Sequence, residues 1–192
     1  MSSQDVPQRL VISYVYDLPF GHGQKFASDA TGFKDKLIAG WGVNGITTFQ
    51  KGFPIKFTDN NPNLLGGLGL GTGTFRPNVV PGCNRNGPRT VSQWFNTACF
   101  ADPAPYTFGN ESRVDPTLRQ DGVNNWDFAI FKKTYFGSEN RYNLEFRTEF
   151  FNIANIVQYG PPNAQFGTGS FGKVSGAVNN PRLIQFGLRF SF

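Results

Sequence analysis

The sequence is poor in the residues on which most enzymes and metal centres depend. It has one histidine, His22, and two cysteines, Cys83 and Cys99, among 192 residues. Zinc sites use closely spaced Cys and His ligands, and the chain has no Cys-x-x-Cys pair. A general base needs a partner within hydrogen-bond reach, and no motif supplies one for His22, which is expected to be an exposed turn residue. We therefore expect no catalytic residue, no cofactor, no metal site and no enzymatic activity.

Charged residues and long apolar runs are also scarce. Charged residues make up 16% of the chain, against about 25% in typical soluble domains. The net charge is +5, but the basic residues are dispersed, so we expect no nucleic-acid partner. No apolar run approaches the roughly 20 residues of a spanning helix. The start, Met1–Asp5, lacks the basic and apolar parts of a signal peptide, which we interpret as a missing amino-terminal part.

The residues that are abundant favour β-structure. The chain has 21 Phe, 23 Gly and 13 Pro, and 16% of its residues are aromatic. Aromatic residues suit a pleated sheet, while Gly and Pro separate short strands. The mean hydropathy is nevertheless −0.34. A transmembrane barrel fits this combination, because only alternate side chains of its strands must be apolar.

Five segments alternate with a period of two residues, which predicts five strands. Their approximate bounds are 9–18, 40–57, 125–136, 142–157 and 182–192, with bulges expected near Lys51–Pro54 and Phe150–Asn152. In the fourth, apolar positions alternate with the polar Asn143, Glu145, Arg147 and Glu149. In the fifth, Arg189 lies opposite the apolar row of Ile184, Phe186, Leu188, Phe190 and Phe192.

The connections between these strands alternate in length. Those near 20–39 and 137–141 are short or moderate, whereas 58–124 and 160–180 are long and rich in Gly, Pro and Asn. In an antiparallel meander both long loops lie on the same side. The run Gly66–Gly73 is expected to be a flexible surface loop, since it does not satisfy the phosphate-binding pattern. The loop carboxylates Asp59, Asp102, Asp115 and Asp121 are expected to solvate the loops. The sequence does not decide whether Cys83 and Cys99 form a disulfide in the loop or remain free thiols.

Alternation alone does not distinguish a barrel from a sandwich of two sheets. One further feature favours the barrel, since the chain ends on Phe192 without a polar tail. Aromatic residues also cluster near strand ends, which fits the aromatic girdles of barrels and ordinary core aromatics about equally well. These residues are Tyr16, Phe20, Trp41, Trp126, Tyr135, Phe136, Tyr142, Tyr159 and Phe192. The predicted fold is all-β: an antiparallel up-and-down meander of about five strands, forming an open segment of a transmembrane outer-membrane β-barrel.

Several motifs carry a resemblance to a known family. The alternation of Phe186, Leu188, Phe190 and Phe192 resembles the carboxy-terminal signature that the barrel-assembly machinery recognises in outer-membrane proteins. The wider chain resembles the carboxy-terminal part of TonB-dependent receptors, especially the Oar-like group with a carboxypeptidase-regulatory-like domain. The motifs are Gly40–Gly45, Lys51–Pro54, Trp94–Asn96 with Phe100, Asn125–Asp127 with Phe131–Lys133, and Glu145–Asn152.

The resemblance implies an outer-membrane location and a role in TonB-driven nutrient uptake. The family's barrels have 22 strands and an amino-terminal plug, so residues 1–192 would supply about the last five strands and would not transport alone. The expected partners are outer-membrane lipid, the remaining barrel and plug, and TonB through the missing amino-terminal part. Asn143, Glu145, Arg147, Glu149 and Arg189 would face the lumen. Iron chelates, cobalamin, sugars and peptides all stay open as substrates. The alternative is a soluble, secreted β-sandwich that binds a ligand such as a carbohydrate.

Overall fold

The computed structural model describes residues 2–61 and 75–192, and most of its regular structure is β-strand. Among these described residues, 3₁₀ turns lie at Thr97–Cys99 and Ser138–Asn140. Within the described ranges, no helix is long and apolar enough to cross a membrane. The elements in chain order are β1 (Arg9–Asp17), α1 (Gly32–Ile38), β2 (Trp41–Gln50), β3 (Thr58–Asp59), β4 (Asn78–Val79), β5 (Phe100–Ala101), β6 (Val123–Phe136), β7 (Tyr142–Phe151), β8 (Gln165–Phe166) and β9 (Leu183–Ser191).

The five long strands form one open sheet in the order β1-β2-β6-β7-β9. Each therefore pairs with the long strand before or after it in the sequence, and β7 runs antiparallel to both β6 and β9. This arrangement confirms the predicted up-and-down meander. The four short strands pair separately, β3 with β8 and β4 with β5.

Strand β2 ends at Gln50, seven residues before the predicted end at 57. Pro54 lacks the N–H that a continuing ladder needs. Beyond Gln50 the chain pairs irregularly instead: the Gln120 N–H donates to the Phe53 carbonyl at 2.8 Å and the Ile55 N–H to the Leu118 carbonyl at 3.0 Å. The segment predicted to follow a bulge thus belongs to a different part of the molecule.

Strand β7 likewise ends at Phe151 and not at 157, because Asn152 turns the chain. Asn152 has a φ of 50°, in the left-handed region that Asn tolerates better than most residues. Its side chain accepts the Ile156 N–H at 2.9 Å and donates to the Ile156 and Asn180 carbonyls at 3.0 and 3.1 Å. These bonds satisfy the backbone where the ladder stops.

The chain divides into two compact units, which we call the sheet unit and the loop unit. The sheet unit comprises residues 10–49, 124–156 and 180–192. The loop unit comprises 1–9, 50–123 and 157–179, and therefore contains most of both long connections.

The loop unit has an apolar core of its own. This core forms in connections that the sequence shows as long and rich in Gly, Pro and Asn, because they also contain large aromatic side chains. The predicted flexible run Gly66–Gly73 lies outside the described residues. The core residues are Ile55, Phe57, Trp94, Phe95, Cys99, Phe100, Leu118 and Val174.

Candidate functional site

The five residues predicted to face a lumen lie on two adjacent strands of the sheet. In the register of β7 and β9, Asn143 pairs with Ser191, Glu145 with Arg189, Arg147 with Gly187 and Glu149 with Gln185. Alternate residues of a strand share a face, so the structure places all five on the same face of the sheet. We call Asn143, Glu145, Arg147, Glu149 and Arg189 the polar wall.

Charges of opposite sign meet along the polar wall. The guanidinium Nε of Arg147 lies 2.7 Å from the Glu149 carboxylate. On the neighbouring strands, Lys133 and Arg189 both stand directly opposite Glu145. Opposite charges at such cross-strand positions stabilise a sheet. The wall borders a recess of about 310 Å³ beside Gly187, where one strand has no side chain.

The sequence did not identify two further residues on this face, Asn44 and Lys133. The Arg147 guanidinium donates to the Asn44 side-chain oxygen at 3.4 Å, from a strand two positions away in the sheet. Both residues were visible in the alternating pattern of their own strands. Their position beside Arg147 and Glu145 depends on register, which single strands do not reveal.

Phe131 interrupts the polar character of this face. It lies directly across from Arg147, and its ring is buried beside Gly42. A Cβ at position 42 would overlap that ring, so Gly42 provides the space for it. The Lys133 ammonium lies 5.1 Å from the centre of the same ring, within cation–π range. The wall therefore combines charged groups with one embedded aromatic ring.

The opposite face of the sheet is mainly apolar, with Lys132 directly across from Phe146, and the apolar row of β9 is exposed. Phe186 and Leu188 are 69% and 71% exposed. No second sheet in the described part of the chain covers them. The sandwich alternative requires such a layer over this row, and within the described residues the row stays exposed. Stacked aromatic pairs continue along this face, including Phe146 with Phe186 and Tyr142 with Phe190.

Aromatic side chains gather at the end of the sheet where the short connections lie. Phe136 pairs with Tyr142 across β6 and β7, and both stack on Phe190 at centroid distances of 6.0 Å. We call Tyr16, Trp41, Phe136, Tyr142, Phe190 and Phe192 the aromatic band. Tyr159, which was expected to lie at a strand end, instead packs on Trp94 at 6.0 Å within the loop unit.

In the loop unit, a disulfide joins Cys83 and Cys99, whose Cα atoms are 5.5 Å apart. Cys99 is buried in the aromatic core. At the centre of that core, Phe57 lies 5.0 Å from Phe95 and 4.5 Å from Phe100, measured between ring centroids. The disulfide thus links the segment around Cys83 to the core itself.

A buried ion cluster lies near the disulfide. The Arg85 guanidinium is 2.6 Å from the Asp115 carboxylate and 3.3 Å from that of Glu111. Asp115 also accepts the backbone N–H groups of Thr117 and Leu118 at 2.7 and 2.8 Å. Asp115 is therefore a buried, structural carboxylate, which corrects the expectation that it solvates a loop. Turn hydrogen bonds and the guanidinium together offset the cost of its burial.

Glu111 was not singled out by the sequence, and its spacing gave no signal. Burial raises the pKa of its carboxyl above the ordinary value, and the negative charge of Asp115 raises it further. Glu111, Asn110 and Arg85 line a cavity of about 520 Å³ bordered by Val79 and Cys83. The cavity offers both charged and apolar surface to a small ligand.

The other three loop carboxylates, Asp59, Asp102 and Asp121, also contact neighbouring groups. Burial raises the pKa of Asp59, and the nearby charge of Asp102 adds to the effect. Asp102 accepts the Asn61 side-chain amide at 2.8 Å. Asp121 accepts the Tyr159 backbone N–H at 2.9 Å and lies 3.7 Å from Arg89.

The one histidine, His22, lies in the connection between β1 and β2. His22 is exposed, and its backbone N–H donates to the Asp35 carboxylate. In the two described ranges, no group of three or more His, Cys, Asp or Glu side chains could hold a metal ion.

Comparison with known proteins identifies a family. A family model described as an outer membrane beta barrel domain matches residues 1–185. Neither the curated proteins nor the solved structures gave a match. The match agrees with the exposed apolar row of β9 and with the polar wall on the other face of the sheet. The chain therefore belongs to the outer membrane beta barrel domain family, and its location is the outer membrane.

Proposed function

We propose that this chain supplies adjacent wall strands and external loops of a TonB-dependent transporter for nutrient uptake. The observation that supports this most directly is the division of the sheet into two faces. One carries the exposed row that includes Phe186 and Leu188, and the other carries the polar wall. In a transmembrane barrel, apolar residues meet lipid and polar residues meet the lumen. We assign no catalytic role to the chain.

The sheet needs further strands to close. Bacterial barrels have at least about eight strands, and β1 and β9 are the outer strands of this five-stranded sheet. Unpaired strand edges attract other strands. We infer that the rest of the barrel and a plug complete the transporter, that the plug-bearing part contacts TonB, and that the barrel-assembly machinery binds the strand containing Phe186 and Leu188.

The polar wall would face the lumen. Its charges are only partly buried and include the Arg147–Glu149 pair at 2.7 Å. Such groups are costly in hydrocarbon but are well solvated in a water-filled or plug-filled interior. The loop unit would then lie outside the cell and contact the substrate, with the cavity beside Glu111 as one candidate position. Iron chelates, cobalamin, sugars and peptides remain the substrate classes to be compared.

Uptake measurements test the transport role. Cells that carry the intact gene would be compared with cells that lack it, using labelled members of the four substrate classes. We expect one class to accumulate only when both the gene and TonB are present. Equal accumulation of every class after loss of the gene, or uptake that persists without TonB, would contradict the proposal.

Thiol labelling tests the wall separately. All cysteines among the described residues are in the disulfide, so a single added cysteine can be labelled. With a water-soluble maleimide on intact outer membranes, Glu145→Cys should react and Phe146→Cys should not, because the two side chains face opposite sides of β7. Equal reactivity at both positions would show that the sheet does not separate lipid from water.

A further inference from the structure

The connection between β1 and β2 exposes several large apolar side chains. This segment, residues 18–40, contains α1, and we call it the α1 connection. Phe33 and Leu37 on α1 are 76% and 54% exposed. They are four residues apart, so they lie on the same face of a helix. Phe20, Phe26 and Ile38 in the same connection are also exposed. A cluster of this kind marks a binding surface more often than ordinary solvent contact.

The α1 connection lies at the end of the sheet that carries the aromatic band. The Leu18 N–H donates to the Trp41 carbonyl and the Lys133 N–H to the Gly40 carbonyl, both at 2.8 Å. These bonds fix both ends of the connection to that end of the sheet. The Trp41 indole N–H donates to the Leu37 carbonyl at 3.0 Å. The carboxyl end of α1 is therefore held beside a member of the band.

Lysines flank the exposed apolar residues. Lys34 and Lys36 on α1 are exposed, and the Lys25 ammonium lies 5.5 Å from the Phe26 ring centre. The connection also contains Asp29, which is exposed, and Asp35, whose carboxylate accepts the His22 N–H. Basic side chains beside aromatic and aliphatic ones are the composition of helices that lie in a membrane interface.

We propose that the α1 connection anchors the protein to the phospholipid headgroup region of the periplasmic leaflet. Phe33 and Leu37 insert at the boundary between headgroups and acyl chains, and Lys34 and Lys36 contact lipid phosphates. The inference rests on the proposed wall, because a barrel in the membrane brings its aromatic band to the interface. Charge complementarity with anionic lipid and continuity with the band select this occupant over a protein partner.

Fluorescence quenching in vesicles tests the anchor. The intact protein, including the rest of its barrel, would be placed in vesicles of phosphatidylethanolamine and phosphatidylglycerol, with a bimane label on Phe33→Cys. Asp29→Cys in the same connection is the matched polar control, and Phe186→Cys on the sheet is the lipid-facing control. All three positions are exposed, so the substitutions remove little packing beyond the Phe146–Phe186 ring contact, and circular dichroism checks that the β-structure is retained.

We expect lipids brominated near the headgroup to quench position 33 several-fold more than position 29, and more than deeply brominated lipids do. Replacing Lys34 and Lys36 by Ala should remove the dependence on phosphatidylglycerol. Quenching at 186 but not at 33, with position 33 open to aqueous iodide, would overturn the anchor and leave the wall intact. No quenching at either position would overturn the wall, and the anchor with it. Shielding of position 33 in cells but not in vesicles would overturn the anchor and show that a protein partner, not lipid, covers this position.

Discussion

The sheet unit and the loop unit differ in where they place large apolar side chains, which are exposed on β9 of the sheet unit and buried in the core of the loop unit. In the sheet unit, Phe186 and Leu188 stand on the surface, whereas in the loop unit Phe57 is 0% exposed and surrounded by other rings. Both units draw on the same phenylalanine-rich composition. The difference teaches that composition alone does not fix which side chains are buried, since the surrounding medium decides which surface must be apolar.

The largest test of this comparison removes a core ring from the loop unit. We expect Phe57→Ala to lower the free energy of unfolding of that unit by about 3–5 kcal/mol, because the cavity loses contact with Phe95 and Phe100. The measurement is a urea titration in detergent that follows Trp94 fluorescence, with Trp41 and Trp126 replaced by Phe. The control, Phe108→Ala, removes an exposed ring of the same unit and should cost less than about 0.5 kcal/mol. Similar losses for the two variants would mean that the unit has no specific core.

The second test opens the disulfide. Cys83 and Cys99 are separated by 16 residues, and closing a loop of that size stabilises the native state by about 3 kcal/mol. Cys83→Ser should therefore lower the melting temperature of the loop unit, and a reductant should lower that of the parent chain to a similar extent. The reductant should leave the Cys83→Ser variant unaffected. A parent chain insensitive to reduction would contradict the prediction.

The third test places a charge on the apolar face of the sheet. Phe186→Arg should destabilise the chain in phospholipid vesicles by about 2–4 kcal/mol if position 186 lies near the bilayer midplane. Gln185→Arg is the matched control, because its side chain lies on the opposite face of the same strand. Urea titration in vesicles measures both. A greater loss for Gln185→Arg would reverse the assignment of the two faces.

The smallest expected effect depends on pH and concerns only the loop unit. The pKa of Glu111 is raised by burial and by Asp115, so the folded unit holds this proton more tightly than the unfolded chain does. Its stability should therefore fall as the pH rises above the ordinary value of 4.5 towards the raised value. Glu111→Gln remains neutral and should flatten this part of the profile. Melting curves at a series of pH values measure both, and a profile unchanged by Glu111→Gln would sink the idea.

The sequence predicted the sheet better than the loops, for a physical reason. Alternation along β7 and β9 reveals which residues share a face, and the short connections imply that neighbouring strands pair. The ends of β2 and β7 were harder to predict, since they depend on hydrogen bonds with the Gln120 N–H and the Asn180 carbonyl, both distant in the sequence.

The residues of the candidate site also divide into those that the sequence pattern predicts and those that it does not. The polar wall residues could be grouped from the pattern of two strands, and the structure adds Asn44 and Lys133 through register. The cluster of Arg85, Glu111 and Asp115 could not be found, because it assembles from an irregular chain without periodicity. Cys83 and Cys99 gave the one local indication that this region is folded, and the sequence left their pairing open.

The core of the loop unit combines residues that precede the β6–β7 hairpin in the sequence with residues that follow it. This determines when the core can form during folding. The Trp94 N–H donates to the Gly172 carbonyl, and the Val174 N–H to the Val91 carbonyl, both at 2.8 Å. Strands β6 and β7 lie between these partners in the sequence. A partly synthesised chain that ends at Leu118 therefore lacks Val174, and the aromatic rings of the core remain incompletely buried. Contacts between such distant residues slow folding. The core of the loop unit therefore folds only after the β6–β7 hairpin and the segment that follows it are present.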